Sequence, residues 1–94
     1  MPETQTRIQH DPDVRRFATT VEDSKAYLDY DQHGAAMTIT HTWVPAEIGG
    51  RGVASQLVRT AFDHAREQGW TVVPQCSYAE SWLQRHPEYA PLRA

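Results

Sequence analysis

The sequence is poor in the residues that mark several classes of protein. It has one cysteine, Cys76, among 94 residues, and a single thiol cannot form an internal disulfide, so nothing points to an oxidising compartment. No hydrophobic run approaches the length of a membrane span. The polar residues 1–6 lack the apolar segment of a signal peptide. We therefore expect a soluble, cytoplasmic protein with no membrane partner.

Clusters of basic residues and of metal ligands are also missing. The formal net charge is −3, and the nine Lys and Arg residues are scattered along the chain. Because nucleic acid is bound by clustered basic side chains, this composition argues against a nucleic-acid partner. The single Cys and the five His do not have the spacing of a metal site, so we predict none.

The length and the aromatic content are those of one small domain. We predict that residues 1–6 are a disordered N-terminus and that residues 7–94 form a single domain. Three Trp, four Tyr and two Phe supply the bulk for one modest core. The expected state is a monomer or a weak homodimer.

Alternation of polar and apolar residues predicts a series of strands in the first half of the chain. We expect strands over residues 7–10, 15–21 and 25–31, with turns at 22–23 and 31–34. The clearest strand covers residues 36–44. Its alternation predicts one face formed by Met37, Ile39, His41 and Trp43, and the other face formed by Thr38, Thr40 and Thr42.

The apolar period changes from two residues to that of a helix after the glycines. Apolar residues recur at helical spacing from Val53 to Ala65, and Gly69 follows as a left-handed cap. A short strand over 70–73 and a short helix over 79–84 come next. A strand, a helix and a strand in this order predict a parallel pair. The expected architecture is an α/β (α+β) fold, with a mostly antiparallel sheet, one parallel strand pair, one long helix and a short C-terminal helix.

Three glycines in four residues, Gly49-Gly50-Arg51-Gly52, precede the long helix. A helix N-terminus has unpaired N–H groups and partial positive charge, and glycine lets a phosphate approach the backbone. The alternative is a flexible turn between a strand and a helix. The segment lacks the Lys of a Walker loop, and Ser55 stands where a dinucleotide fingerprint has its third Gly or Ala.

The segment Gly49 to Ala54 resembles the coenzyme A loop of the GNAT acetyltransferase superfamily. That pattern is Gln/Arg-x-x-Gly-x-Gly/Ala; Gly52 and Ala54 match its fourth and sixth positions, and Gly49 departs from its first. Three further stretches recur in the same order, His41-Thr42-Trp43-Val44-Pro45, Pro74-Gln75-Cys76-Ser77-Tyr78 and Arg85-His86-Pro87-Glu88-Tyr89. Together they resemble a short, single-domain branch of predicted acetyltransferases over residues 8–92.

The resemblance implies acetyl-CoA (coenzyme A) as cosubstrate and assigns residues to it. The end of the preceding strand, at Trp43 and Val44, would pair with the pantetheine arm. Backbone N–H groups of the loop would hold the pyrophosphate, and these belong to Gly49, Gly50, Arg51, Gly52, Val53 and Ala54, with Ser55 at the edge. The implied structure is a minimal GNAT-like fold without the first two helices of larger relatives.

Three residues are candidates for the chemistry of acetyl transfer. Cys76 could carry the acetyl group or shape the thioester site, since the N-terminus of the following helix would favour its thiolate. Tyr78 could protonate the departing thiolate, and His41 could act as a general base. The structural alternatives are a buried thiol, a packed aromatic ring and a core histidine.

The function expected from these residues is N-acetyl transfer from acetyl-CoA to an unidentified amine, by a direct route or through an acetylated Cys76. The alternative is a non-catalytic coenzyme A or acyl-CoA-binding module or sensor.

Overall fold

The computed structural model describes residues 7–94, and the prediction for residues 1–6 lies outside the described residues. Five strands form one sheet in the order β1-β2-β3-β4-β5. The strands are β1 (Gln9–Asp11), β2 (Arg16–Val21), β3 (Ser24–His33), β4 (Ala36–Trp43) and β5 (Thr71–Pro74). Neighbouring strands are antiparallel except for the parallel pair β4 and β5. The helices are α1 (Val53–Gln68) and α2 (Ser77–Arg85), with 3-10 helices at Ala46–Ile48 and Pro87–Leu92. This arrangement confirms the predicted α/β (α+β) fold.

The turns between the antiparallel strands are tight. The predicted turn at Glu22 and Asp23 is confirmed, and both residues have positive φ (49° and 67°), as a type I′ hairpin turn requires. The predicted turn over residues 31–34 is wrong in its extent. Pairing of β3 with β4 continues as far as His33, so the chain reverses at residues 34–35, where Gly34 has a φ of 58°.

One face of the sheet and the apolar faces of the two helices form the core. Helix α1 contacts strands β2 to β5, and α2 contacts α1, β4 and β5. The buried side chains of α1 have the helical spacing seen in the sequence; they are Val53, Leu57, Val58, Ala61, Phe62 and Ala65. Gly69 ends the helix in the left-handed conformation, with a φ of 75°, as predicted.

A β-bulge in β4 overturns the prediction about its faces. Asp29 lies opposite His41 but Tyr30 lies opposite Ile39, so Thr40 is an extra residue in β4. Its hydroxyl donates to the carbonyl oxygen of Asp29 at 3.2 Å. An extra residue inverts the alternation beyond it. His41 and Trp43 are therefore exposed on the outer face rather than sharing the core face of Ile39.

Candidate functional site

The glycine loop begins where β4 ends. Residues 46–48 form a single 3-10 turn, and the buried side chain of Ile48 anchors this turn in the core. Gly50 and Gly52 follow with φ values of 77° and 79°, a left-handed conformation that residues with a Cβ rarely adopt. The loop therefore needs glycine at both positions for its backbone path into α1.

The N-terminus of α1 is open to an anionic ligand. Gly52 is the N-cap residue, so no side chain caps the helix, and the first turn contains no acidic residue. N–H groups of a first helical turn have no partner inside the helix, and the helix dipole adds positive charge beside them. These are the properties expected of a site for a phosphate or diphosphate.

A cleft of about 250 Å³ lies over this helix N-terminus. It brings together most of the residues predicted to hold coenzyme A and one predicted catalytic residue. Its lining residues are Val44, Ile48, Gly49, Gly50, Gly52, Val53, Ala54, Ser55 and Tyr78. Trp43, Arg51, Cys76 and His41 are not part of this lining. The residues present thus fit a diphosphate and the adjoining part of a pantetheine arm.

Strands β4 and β5 separate beside the cleft. Their pairing ends at Ile39 and Pro74, and the N–H groups of Gln75 and Cys76 both donate to the Ile39 carbonyl oxygen, at 3.1 and 3.0 Å. Within the described residues, β4 continues from Thr40 to Trp43 without a partner in β5. This stretch offers backbone groups to an extended ligand that contains amides, as pantetheine does.

Cys76 lies at the point where β5 gives way to α2. It is the N-cap residue of α2, and its sulfur accepts a hydrogen bond from the N–H of Ala79 at 3.4 Å. The hydroxyl of Thr42 is 3.5 Å from the same sulfur. The half-buried thiol therefore faces both the N-terminus of α2 and the stretch of β4 that has no partner in β5. Thr42 was not among the predicted site residues, because only the bulge turns it toward the core.

His41 and Trp43 lie on the outer face, away from the side on which Thr42 meets Cys76. His41 is opposite Asp29 and packs against the ring of Tyr27 at 5.9 Å between centroids. Trp43 is opposite Tyr27 and remains 49% exposed. The core-histidine alternative for His41 is wrong, because its side chain is exposed.

Arg51 forms an ion pair with a residue outside the loop. Its guanidinium donates two hydrogen bonds, one of them 3.2 Å long, to the carboxylate of Glu22. Glu22 lies in the turn between β2 and β3. The hydrogen bond from Arg51 lowers the pKa of Glu22. The positive charge of Arg51 is thus paired with the carboxylate of Glu22. The periodicity of the sequence does not indicate this ion pair.

The described part of the chain lacks two kinds of feature. Within residues 7–94, no three His, Cys, Asp or Glu side chains lie together as a group that could hold a metal ion. Neither of the α-helices in residues 7–94 combines the length and the hydrophobicity of a membrane-spanning helix.

The fold and the cleft define a small α/β protein that presents a helix N-terminus to an anionic ligand where two parallel strands separate. Comparison with known families agrees: the model for the GCN5-related N-acetyl-transferase family matches residues 16–92. The chain belongs to this family, which confirms the resemblance seen in the sequence.

The individual proteins that this chain resembles share only 25% to 29% of their residues with it. The chain is 28% identical over 89 residues to protein NATD1 of Xenopus tropicalis, covering 92% of this chain and 82% of that protein. It is 29% identical over 84 residues to NATD1 of Mus musculus, covering 86% and 76%. Its fold is similar to the solution NMR structure of a GCN5-like protein from Staphylococcus aureus, with a TM-score of 0.74 and 25% identity. That match covers 100% of this chain and 91% of the other.

Proposed function

We propose that this protein is an enzyme that transfers the acetyl group of acetyl-CoA to the nitrogen of an amine. The observation that carries the proposal is the cleft at the N-terminus of α1, beside the separated ends of β4 and β5. Membership of an N-acetyltransferase family supports the same reaction.

Binding would use main-chain groups almost entirely. Backbone N–H groups from Gly50 to Ala54 would hold the diphosphate, since these groups and the helix dipole favour negative charge. The N–H of Gly49, which the sequence also assigned to this role, instead donates to the carbonyl oxygen of Ala46 at 3.1 Å. Trp43 at the end of β4, which has no partner in β5, and the adjoining Val44 would pair with the amides of the pantetheine arm. With the arm in this position, the thioester would lie near Cys76, which follows β5 on the other side of the gap.

The chemistry requires a proton acceptor for the amine and a proton donor for the departing sulfur. Tyr78 lines the cleft in the first turn of α2 and is our candidate for the donor. His41 is our candidate for the acceptor, because its exposed side chain can meet an amine that arrives from the outer face of the sheet. The amine would then approach the thioester from the side opposite α1.

Cys76 can participate in either of two routes. In the direct route, its side chain shapes the wall beside the thioester. In the covalent route, the Cys76 thiolate takes the acetyl group while the coenzyme sulfur leaves and takes a proton. The amine nitrogen then takes the acetyl group from Cys76 and releases its own proton. The N–H of Ala79 donates to the sulfur that would attack the thioester, and so fixes its position at the start of α2.

The test is release of free coenzyme A thiol from acetyl-CoA in the presence of a panel of amines, including polyamines and lysine peptides. Amine-dependent release, with the acetylated amine found by mass spectrometry, is the expected result. Tight binding of acetyl-CoA with no release above the rate without protein would contradict catalysis and favour the binding module.

A further inference from the structure

Ser55 and Trp82 connect the cleft to the interior of the domain. The indole nitrogen of Trp82, on α2, lies 2.9 Å from the hydroxyl oxygen of Ser55, in the first turn of α1. Because an indole N–H can only donate, the Ser55 oxygen is the acceptor. The Ser55 hydroxyl therefore retains its own O–H as a donor, and Ser55 lines the cleft.

The indole ring is held firmly in place. Trp82 is 1% exposed, and Phe62 of α1 stacks against it with 5.3 Å between ring centroids. His86 stacks against it at 3.9 Å, and the His86 Nδ1 atom lies 2.7 Å from the Trp82 carbonyl oxygen. The N–H is thus aimed at Ser55 by packing that involves both helices.

Another hydroxyl on α1 behaves differently. Thr60 donates to the carbonyl oxygen of Gln56, four residues earlier, at 2.8 Å. This is the usual use of a hydroxyl inside a helix. Ser55 lies at the start of the helix beside the open N–H groups, and its oxygen is engaged by an indole from another helix.

We propose that Trp82 is a positioning residue for the phosphate end of the cleft. It holds the Ser55 oxygen so that the Ser55 O–H donates to a phosphate oxygen beside the N–H groups of the first turn of α1. This inference rests on the proposed function, because it takes the bound anion to be the diphosphate of coenzyme A. A phosphate oxygen only accepts, so both hydrogen bonds run in one direction and strengthen each other.

The experiment is calorimetric titration of acetyl-CoA into the full chain and four variants. Trp82→Phe keeps an aromatic ring against Phe62 but removes the N–H, and Ser55→Ala removes the hydroxyl. Each is expected to weaken binding by about 3-fold to 10-fold, the effect of one hydrogen bond. The double variant is expected to bind like Ser55→Ala alone, because Trp82 acts only through Ser55. Trp70→Phe, a half-buried tryptophan that contacts His64, is the matched control and leaves binding unchanged.

A second probe separates positioning from general structural damage. S-acetylpantetheine carries the thioester and the amides but no phosphate, so its affinity is expected to be equal for the unsubstituted chain and Trp82→Phe. If Trp82→Phe does not unfold cooperatively, Ser55→Thr and Ser55→Ala test the step on which the inference depends, the hydrogen bond from the Ser55 hydroxyl to the phosphate. Threonine, which retains a hydroxyl, must preserve acetyl-CoA binding, and alanine must weaken it.

Normal acetyl-CoA binding by folded Trp82→Phe, or additive losses in the double variant, would overturn this inference and leave the proposed function intact. Absence of acetyl-CoA binding by the unsubstituted chain would overturn the proposed function, and this inference with it.

Discussion

The Thr42 hydroxyl lies 3.5 Å from the sulfur of Cys76, although 34 positions separate the two residues in the chain. The contact forms because β4 acquires an extra residue at Thr40 and because β5 ends at Pro74. Together these irregularities open the sheet at one point and place a thiol beside the opening. The site therefore depends on interruptions of the regular strand pairing.

Cys76 is expected to matter for transfer more than for folding. Cys76→Ser retains an N-cap acceptor for α2, whereas Cys76→Ala removes it and is expected to cost about 1 kcal/mol of stability. Both variants are expected to bind acetyl-CoA and to lose at least roughly tenfold in transfer rate, about 1.4 kcal/mol in the barrier. Thiol-release assays measure the rates, and thermal unfolding measures the stabilities.

Full transfer activity in Cys76→Ser would remove Cys76 from the chemistry. The route is assigned separately, by intact mass after incubation of the unsubstituted protein with acetyl-CoA alone. One acetyl group located on Cys76 assigns the covalent route, provided that Cys76→Ser stays unmodified.

Gly52 offers a test of the phosphate loop with an internal control. Gly52 and Gly69 have similar positive φ values, 79° and 75°, at opposite ends of α1. Valine at either position is expected to cost about 1–2 kcal/mol of stability through backbone strain. Only Gly52→Val is expected to abolish acetyl-CoA binding, because Gly52 lines the cleft and Gly69 does not. Equal affinities for the two variants in calorimetry would show that the loop assignment is wrong.

The ion pair between Glu22 and Arg51 predicts a variant that binds coenzyme A more tightly than the unsubstituted protein. Glu22→Gln removes the carboxylate that now holds Arg51, so the guanidinium becomes available to a phosphate. We expect about 2-fold to 5-fold tighter binding of coenzyme A, with a steeper dependence on salt concentration.

Glu80→Gln is the control for this prediction. It disrupts another exposed ion pair, with Arg93 at 2.5 Å, and neither partner lines the cleft. Its affinity for coenzyme A is expected to stay within about 2-fold of the unsubstituted protein. Weaker binding by Glu22→Gln would mean that Glu22 supports the loop rather than competing for Arg51.

A histidine far from the cleft makes stability depend on pH. His10 stacks on Phe17 at 4.1 Å, and its Nε2 atom is 2.6 Å from the hydroxyl of Tyr30. Burial, and then the charge of His64, lower the pKa of His10 below its ordinary value of 6.5, against a smaller opposing effect of Asp11. The folded state thus favours neutral His10.

Because the pKa of His10 is lower in the folded state, the unfolded chain binds more protons once the pH falls below about 6.5. The stability that neutral His10 contributes is therefore lost progressively between pH 6.5 and the lowered pKa of the folded state. His10→Gln is expected to lose about 1 kcal/mol near pH 7.5, where the neutral ring is hydrogen-bonded, and to flatten the decline toward pH 5. Urea unfolding at several pH values measures both effects. His33→Gln, an exposed histidine, should keep the original slope. The same steep slope in His10→Gln would rule out His10 as its source.

Local signals in the sequence were sufficient for most of the fold. The span of α1, its cap at Gly69 and the glycine loop all follow from neighbouring residues, and the structure has them where they were predicted. The family resemblance also followed from short motifs, and the match over residues 16–92 confirms it.

Contacts between distant residues could not be predicted in this way. The bulge at Thr40 depends on how β4 pairs with β3, and without it His41 was assigned to the wrong face. The hydrogen bond between Trp82 and Ser55 and the ion pair between Glu22 and Arg51 join elements whose distance only the folded chain sets. The acceptor amine is likewise not encoded in any local pattern.

The cleft at the N-terminus of α1 is expected to bind the coenzyme. The most direct measurement is calorimetric titration of the purified full chain with acetyl-CoA and, separately, with free coenzyme A. We expect one molecule to bind per chain with a micromolar Kd, which corresponds to about −8 kcal/mol. No heat of binding at millimolar ligand, from a protein that unfolds cooperatively, would contradict it.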